Sequence, residues 1–368
     1  MSEWKKVRLG DILLIQKKSK IKASDGIENG IYPFFTCSND IVRTYNSAQY
    51  KGPALIFGTG GKASVHFCDT EFSTSTDCLT YYPVSSEINL DLVNKYIQSN
   101  IYLLENGFKG AGLKHVSRDY IANIEINLPD IKTQNCIVQK LNKAKNIISN
   151  SKKLLTKYDL LIKSRFIEMF GDPVINERKW GKVKLDSVAD IKIGPFGSLL
   201  HQEDYIIGGH ALVNPSHIID GRICADEKLT ISDEKYTELF PYHLQKHDVV
   251  MGRRGEMGRC AVVDSDGMLC GTGSLIIRSK GELKPDFIQK IISFPSYKKT
   301  IEDKAIGQTM PNLNVPIVSS FEIIKPPKEV QDNYSTFVQQ IDKSKFAVQK
   351  ALEKAETLYK SLMQLYFA

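Results

Sequence analysis

The chain has 368 residues, which is long for a single core and suits two domains. Charged residues make up 25% and hydrophobic residues 42% of it, an ordinary composition for a folded protein. The net charge of +7 favours anionic partners only mildly, because many proteins that bind no polyanion are equally basic.

The cysteines and the hydropathy pattern exclude several classes of protein. The seven cysteines include no C-x-x-C pair, which argues against a disulfide framework and a cysteine-rich zinc site. No apolar stretch resembles a signal peptide or reaches the length of a membrane span. We therefore expect a soluble protein of the reducing cytoplasm, with no membrane partner.

The first predicted region covers residues 1–130 and has a mixed α/β pattern. Short β-type runs occur at 53–57 and 78–82, and glycine-rich turns occur at Gly58-Thr-Gly-Gly61 and Gly110-Ala-Gly112. The pair Leu128-Pro129 marks the end of this region.

Residues 131–170 are predicted to form one long helix. They contain neither glycine nor proline, and Gly171-Asp-Pro173 ends the run. Apolar residues recur every three or four positions from Ile137 to Met169, which is a heptad seam. The segment also carries nine lysines and arginines against two acidic residues. A solvated face is the ordinary interpretation of this charge, and DNA passing nearby is the functional alternative.

The second mixed region covers 171–327, and a second long helix is predicted over 328–368. The region has β-type runs at 248–251 and 274–277, with Gly252-Arg-Arg-Gly255 after the first of them. The helix has a predicted seam at Val330, Tyr334, Phe337, Ile341, Ser344, Val348, Ala351, Ala355, Leu358, Leu362 and Leu365.

The two halves of the chain resemble each other in order. Trp4-Lys-Lys-Val-Arg-Leu9 returns as Trp180-Gly-Lys-Val-Lys-Leu185, and Glu125-Ile126 returns as Glu322-Ile323. Such a series indicates an internal duplication. The predicted fold class is therefore α+β: two similar mixed α/β domains joined by two long antiparallel coiled-coil helices, with pseudo-twofold symmetry. The alternative is that each helix packs on its own domain alone.

Over its full length the sequence resembles the specificity subunits of type I restriction-modification systems. The resemblance depends on the opening Trp4 motif, on Ser164-Arg-Phe-Ile-Glu-Met-Phe-Gly-Asp-Pro173 and on Gly194-Pro-Phe-Gly-Ser198. It also depends on Gly252-Arg-Arg-Gly255 and Gly307-Gln-Thr-Met-Pro-Asn-Leu313, whose counterparts in the first copy depart from the pattern.

The resemblance implies a non-catalytic DNA-binding subunit with two target-recognition domains, at 1–130 and 171–327. Each domain would read one half of a bipartite target in double-stranded DNA, and the helices at 131–170 and 328–368 would set the spacer. The implied partners are two methyltransferase subunits, which bring S-adenosylmethionine, and a motor-nuclease restriction subunit, which brings ATP and Mg²⁺. No cofactor is expected on this chain itself.

The candidate DNA-binding residues lie in or beside the glycine-rich turns. Base edges need paired donors and acceptors, whereas phosphates need cations, hydroxyls and free backbone N–H groups. The candidates are Thr59, Lys62, Ser64, Lys109, Lys114 and His115 in the first copy, and Ser198, Arg253, Arg254, Glu256, Arg259, Gln308, Thr309 and Asn312 in the second. The alternative is that the glycines serve only hairpin geometry.

Two other classes of function stay open at this point. Asp286, Glu302 and Lys304 have the residue types of a metal-dependent nuclease, although Asp286 also suits a helix start. A protein-binding scaffold is the other alternative. Asn214-Pro-Ser-His217 only faintly resembles the Asn-Pro-Pro-aromatic motif of adenine methyltransferases, and no phosphate-loop motif occurs.

Overall fold

The computed structural model describes residues 4–40, 43–112, 114–196, 199–305 and 312–367. The chain divides into two compact units. The first unit is Met1–Lys153 with Val348–Ala368, and the second unit is Leu154–Ala347. Each long helix therefore contributes to both units.

The first unit contains three groups of paired strands. Its strands are β1 (Lys5–Arg8), β2 (Leu13–Ile15), β3 (Tyr32–Phe35), β4 (Arg43–Tyr45), β5 (Ala54–Gly58), β6 (Ser64–Cys68), β7 (Ser73–Thr74), β8 (Cys78–Pro83) and β9 (Glu125–Leu128). Its helices are α1 (Leu9–Ile12), α2 (Leu90–Ser99), α3 (Tyr102–Glu105), α4 (Arg118–Ala122) and the first part of α5 (Ile131–Phe170). One sheet has the order β2-β8-β5-β6, another has the order β4-β3-β7, and β1 pairs with β9.

The second unit repeats this plan with additional strands. Its strands are β10 (Lys182–Lys184), β11 (Ala189–Ile193), β12 (Tyr205–Ile206), β13 (His210–Val213), β14 (Ile218–Ile219), β15 (Arg222–Ile223), β16 (Thr230–Ile231), β17 (His243–Leu244), β18 (Val249–Gly252), β19 (Cys260–Val262), β20 (Met268–Cys270), β21 (Ser274–Ser279) and β22 (Glu322–Ile324). Its helices are α6 (Leu185–Val188), α7 (Asp233–Glu238), α8 (Pro285–Ile292), α9 (Pro295–Lys304), α10 (Val315–Ser319) and the first part of α11 (Lys328–Phe367). The sheet orders are β11-β21-β18-β19 and β12-β16-β13-β20-β17, with separate pairs β10-β22 and β14-β15.

The duplication predicted from the sequence is present in the strand pairing. In both units the first strand pairs antiparallel with the last, so that Val7 lies opposite Ile126 and Val183 lies opposite Ile323. The four-stranded sheets have the same order, and β3 pairs parallel with β7 as β13 does with β20. The expected fold class, two similar mixed regions each followed by a long helix, is confirmed.

The central strands form where the sequence has short apolar runs. Every residue of β5 and of β18 is buried, since each strand lies between two others and is covered on both faces. The long helices form at the predicted positions because no glycine or proline interrupts them. Asp130 caps α5 by accepting from the N–H (3.0 Å) and hydroxyl (2.7 Å) of Thr133, and Gly171 follows its end with φ +76°.

Inside each unit the two long helices run antiparallel. In the first unit Lys152 pairs with Glu356 (2.8 Å). In the second unit Asp159 pairs with Lys345 and Arg165 lies over the ring of Phe337 (5.7 Å). As the residue numbers increase along α5, those of the contacting residues on α11 decrease, as expected for an antiparallel pair.

The predicted seam of α11 is wrong near its end. Leu358 and Leu365 are exposed, whereas Leu352, Ala355 and Phe367 are buried. A strict seven-residue repeat drifts around a straight helix of 3.6 residues per turn, so the buried face leaves the predicted positions. The final turn instead inserts Phe367 into the core of the first unit.

A buried glutamine ties each long helix to the loop that precedes α2 or α8. The side-chain amide of Gln134 donates to the carbonyl oxygens of Glu87 (3.1 Å) and Pro129 (2.8 Å). Its oxygen accepts from the N–H of Asn89 (2.8 Å). Gln331 makes the corresponding three bonds, and both side chains are 1% exposed.

We predict that Gln134→Ala lowers the free energy of unfolding of the first unit by about 1–3 kcal/mol, because it leaves buried backbone groups unpaired. Denaturant unfolding of the full chain, with hydrogen exchange at the start of α5, measures the loss. Gln139→Ala, an exposed change on the same helix, is the control. Equal stability of the two variants would contradict the role of the glutamine.

Candidate nucleic-acid interface

The second glycine loop, residues 252–256, joins β18 to β19 and is held by Arg253. The side chain of Arg253 is 8% exposed, and its Nε donates to Oδ1 of Asn312 (3.0 Å). Its backbone N–H donates to the carbonyl of Gly273 (3.0 Å), and its carbonyl accepts from the N–H of Leu313 (2.9 Å). Arg253 and Asn312 therefore join three segments of backbone to each other.

Arg254 has the opposite environment to its neighbour. It is exposed, and it makes no hydrogen bond or ion pair with the residues that the structure describes. Its guanidinium has five donors and can bind a guanine edge or a phosphate. Of the two adjacent arginines, Arg254 is the one available to a ligand.

Glu256 lies at the end of the second glycine loop between two cations. Its carboxylate accepts from Nζ of Lys298 (2.7 Å) and from the guanidinium of Arg259 (2.8 Å). Lys298 first, and then Arg259, hold the pKa of Glu256 at about 2. The carboxylate is already paired, and it compensates part of the positive charge beside Arg254.

The first glycine loop, residues 58–62, occupies the same place between β5 and β6. The backbone N–H and the hydroxyl of Thr59 both donate to the carbonyl of Asp77 (2.8 Å each). The carbonyl of Thr59 accepts from the N–H of Val116 (3.0 Å), and Gly61 donates to Lys114 (3.0 Å). Ser64 is 1% exposed and donates to the carbonyl of Cys37 (3.3 Å), so it faces inward.

The structure brings together most of the candidates that it describes. Lys62, Lys109, Lys114 and His115 are exposed in the first unit. Gly60 forms a backbone β-bridge with His115 in one unit, as Arg254 does with Asn312 in the other. In each unit the glycine loop thus lies beside a described part of the second predicted region. Ser198, Gln308 and Thr309 lie outside the described residues.

Sequence reasoning missed one loop in each unit. We name them the β3 loop (residues 36–40) and the β13 loop (residues 214–217). A Cβ on Gly58 would lie 3.0 Å from Cα of Cys37, and one on Gly252 would lie 3.1 Å from Cβ of Pro215. Glycine is favoured at both positions because a Cβ would press on the neighbouring loop. The loops approach in this way because β3 and β13 each pair in parallel with a strand that is distant in sequence. No local sequence pattern indicated this pairing.

The β13 loop includes the motif that faintly resembled a methyltransferase site. His217 in it is 7% exposed, and its Nδ1 lies 2.7 Å from the carbonyl oxygen of Leu212. A histidine placed in this way shapes the turn rather than facing a substrate. The exposed member of the motif is Ser216.

Cys37 lies in the β3 loop and contacts the first glycine loop. The neighbouring thiol of Cys78 lowers the pKa of Cys37, against the effect of burial. The N–H of Gly60, 3.4 Å from the sulfur, acts in the same direction. When protonated, the thiol donates to the carbonyl of Asp77 (3.0 Å).

The structure places the three residues whose types suggested a nuclease in other surroundings. Asp286 lies in the first turn of α8, where burial raises its pKa. Glu302 and Lys304 are exposed on α9, and Lys304 lies over the ring of Phe321 (5.9 Å). Within the described ranges, no three His, Cys, Asp or Glu side chains are grouped to hold a metal ion. No described helix has both the length and the hydropathy to cross a bilayer.

Comparisons with a family model and with known proteins identify relatives of the same kind. The family model described as "Type I restriction modification DNA specificity domain" matches residues 1–157 and 177–356. The type I restriction enzyme EcoDI specificity subunit of Escherichia coli is 22% identical over 161 residues. That match covers 44% of this chain and 35% of the relative's length.

Solved structures of this kind share the fold. The S subunit of a type I restriction-modification system from M. genitalium superposes with a TM-score of 0.73 and 15% identity, over 99% of this chain and 96% of that one. A structure that describes complex assembly and conformational transition of the type I R-M system gives a TM-score of 0.55 at 16% identity, over 100% and 98%.

We predict that alkylation of Cys37 by iodoacetamide follows a titration with a midpoint below the ordinary thiol value of about 8.5, because the pKa of Cys37 is lowered and the thiolate is the nucleophile. Peptide mass spectrometry of the full chain between pH 4.5 and 9 measures it, with exposed Cys136 as the internal control for the reagent. Cys78→Ala should raise the midpoint, since the thiol that lowers the pKa of Cys37 most is lost. A midpoint above about 8 in the unmodified chain would contradict this assignment.

Proposed function

The chain belongs to the family of type I restriction modification DNA specificity domains, and from this premise we propose that it is the DNA-reading subunit of a type I restriction-modification complex. Each unit reads one half of a bipartite target in double-stranded DNA. The chain itself carries out no chemistry. One observation carries the proposal: in both units a glycine loop with an exposed cationic side chain, Lys62 or Arg254, forms a β-bridge to a second segment, at His115 or at Asn312.

The part of the DNA that each loop residue would contact follows from the chemistry of its side chain. Lys62, Lys109 and Lys114 suit phosphates, which position the protein but hold no sequence information. Arg254 suits a guanine edge or a phosphate. The loops of the two units differ in sequence, which fits two different half-targets.

We propose that α5 and α11 set the spacer between the half-targets. Each is an unbroken helix of 40 residues that passes from one unit into the other. At about 1.5 Å per residue, such a helix is about 60 Å long. A change in helix length should therefore change the spacer.

The same helices are proposed to bind the methyltransferase subunits. In the second unit Leu154 and Leu161 are exposed seven residues apart on α5, and so are Leu160 and Ile167. Apolar side chains at this spacing form a stripe that another helix can cover. Two methyltransferase subunits would supply S-adenosylmethionine, and a motor-nuclease restriction subunit would supply ATP and Mg²⁺. The complex would act in the cytoplasm, where its DNA target lies.

We predict that Arg254→Ala weakens binding of the full chain to target duplex by roughly tenfold without a loss of thermal stability, because an exposed contact is removed. Arg253→Ala should lower the thermal stability, because it leaves Asn312 unpaired. Fluorescence anisotropy and thermal unfolding measure the two effects. Lys343→Ala, an exposed charge removed from α11, is the control. Unchanged affinity in Arg254→Ala would exclude this loop from the DNA contact.

We predict that four residues inserted in each helix, after Lys153 and after Ala347, lengthen the spacer by one to two base pairs. Four residues add about 6 Å of helix and nearly preserve the buried face. One base pair occupies about 3.4 Å of duplex. Methylation mapping in cells with the intact operon reads the spacer and the half-targets together.

The control for this experiment places the same four residues in the exposed turn after Asp266, which leaves both helices unchanged. It should keep the original spacer. If the helix insertions also keep the original spacer, the helices do not set it. If they alter the bases of a half-target, the reading loops have been assigned to the wrong element.

A further inference from the structure

The β3 loop is fixed on its inner side by the rest of the first unit. The sulfur of Cys37 accepts from the N–H of Gly60 (3.4 Å), and its carbonyl accepts from the hydroxyl of Ser64 (3.3 Å). The carbonyl of Ser38 accepts from Nε2 of His66, which is 2.9 Å away. Cys37 is thus bonded to the first glycine loop through its sulfur, and the backbone carbonyls of Cys37 and Ser38 are bonded to side chains of β6.

The outer side of the same loop carries three exposed polar residues, Ser38, Asn39 and Asp40. The hydroxyl of Ser38 accepts from the N–H of Asp40 (3.1 Å) and so shapes the turn. The amide of Asn39 forms no hydrogen bond with the described part of the chain. The backbone fixed at 37–38 therefore presents an amide whose donor and acceptor are occupied by no described residue.

The described residues of the two glycine-rich regions of the first unit offer few groups that can distinguish bases, and Nδ1 of exposed His115 already lies 3.2 Å from the carbonyl oxygen of Thr59. Lys62, Lys109 and Lys114 are point charges suited to phosphate. The hydroxyl of Thr59 is bonded to Asp77, and Ser64 faces inward. Asn39 has the amide that pairs in two places with the N6 and N7 edge of adenine.

The β13 loop of the second unit shows that this position is repeated. Pro215 packs on Gly252 as Cys37 packs on Gly58. Exposed Ser216 follows Pro215 as Ser38 follows Cys37, but the next residue is buried His217 instead of exposed Asn39. In the second unit, the exposed side chain that could read a base is instead Arg254, which lies on the glycine loop. The two units therefore expose different side chains on corresponding loops.

We propose that the β3 loop is a third reading element of the first unit and that Asn39 reads a base edge in its half-target, with adenine as the preferred base. This inference depends on the proposed function and specifies one residue of its recognition chemistry. Asn39 is a specificity-determining residue, whereas Cys37 and Ser38 position it.

The test selects duplexes from a random library with the full chain and sequences the bound pool. We expect the unmodified chain to enrich a bipartite target. Asn39→Ala should reduce the preference at one adenine of one half-target by roughly tenfold or more, and leave the other half-target unchanged. Asn46→Ala is the matched control, because exposed Asn46 follows β4 at the opposite end of its pairing with β3, where Tyr45 lies opposite Tyr32.

Thermal unfolding confirms that each variant is folded before selection. If Asn39→Ala selects the same bases with the same preference, the inference is wrong while the proposed function stands. Uniformly weaker binding to all duplexes would also overturn it, since that is the result expected of a phosphate contact. A failure of the unmodified chain to enrich any sequence would instead refute the proposed function.

Discussion

The buried amides of Gln134 and Gln331 are the contacts on which the rest of the structure depends. Each closes three hydrogen bonds with backbone groups at the point where a long helix leaves its globular region. A buried polar group is costly unless it is paired, so only one orientation of the helix relative to the preceding loop satisfies all three bonds. The direction of each helix is thereby coupled to the sheet that carries the loops.

The direction of the two long helices brings their C-terminal ends into the hydrophobic cores of the units. Phe367 from the end of α11 contacts Tyr96 in the first unit, at 5.8 Å between ring centroids. Phe170 from the end of α5 contacts Phe287 in the second unit, at 4.7 Å. Each core thus includes an aromatic residue from the far end of a long helix. This arrangement explains why the two helices, rather than the two mixed regions, divide between the compact units.

The loops have a rigid inner side and an available outer side, and the two glycines make this possible. With no Cβ, Gly58 and Gly252 let a second loop pack directly against the sheet end. The buried side chain of Arg253 binds that of Asn312, and the side chain of Ser64 binds the carbonyl of Cys37, while Arg254, Asn39 and the lysines remain exposed. Pre-organised donors and acceptors of this kind lose little entropy on binding, which favours sequence discrimination over mere charge attraction. Glu256 limits that charge attraction by pairing with Lys298 and Arg259.

The sequence by itself determined the duplication, the bounds of both long helices and the central strands, because these depend on local composition and short-range periodicity. The positions of the glycine loops followed from the same patterns. Tertiary structure alone decided which loop residues are exposed: Arg253 is buried and Arg254 is not, although they are adjacent and chemically alike. It also decided that Ser64 faces inward, that Leu358 and Leu365 leave the buried face, and that the β3 loop joins the first glycine loop. The exposure of the two leucines follows from the drift of the seam around the helix. Each of the other outcomes depends on contacts between residues far apart in the chain, and their energies have no signature in a local window of sequence.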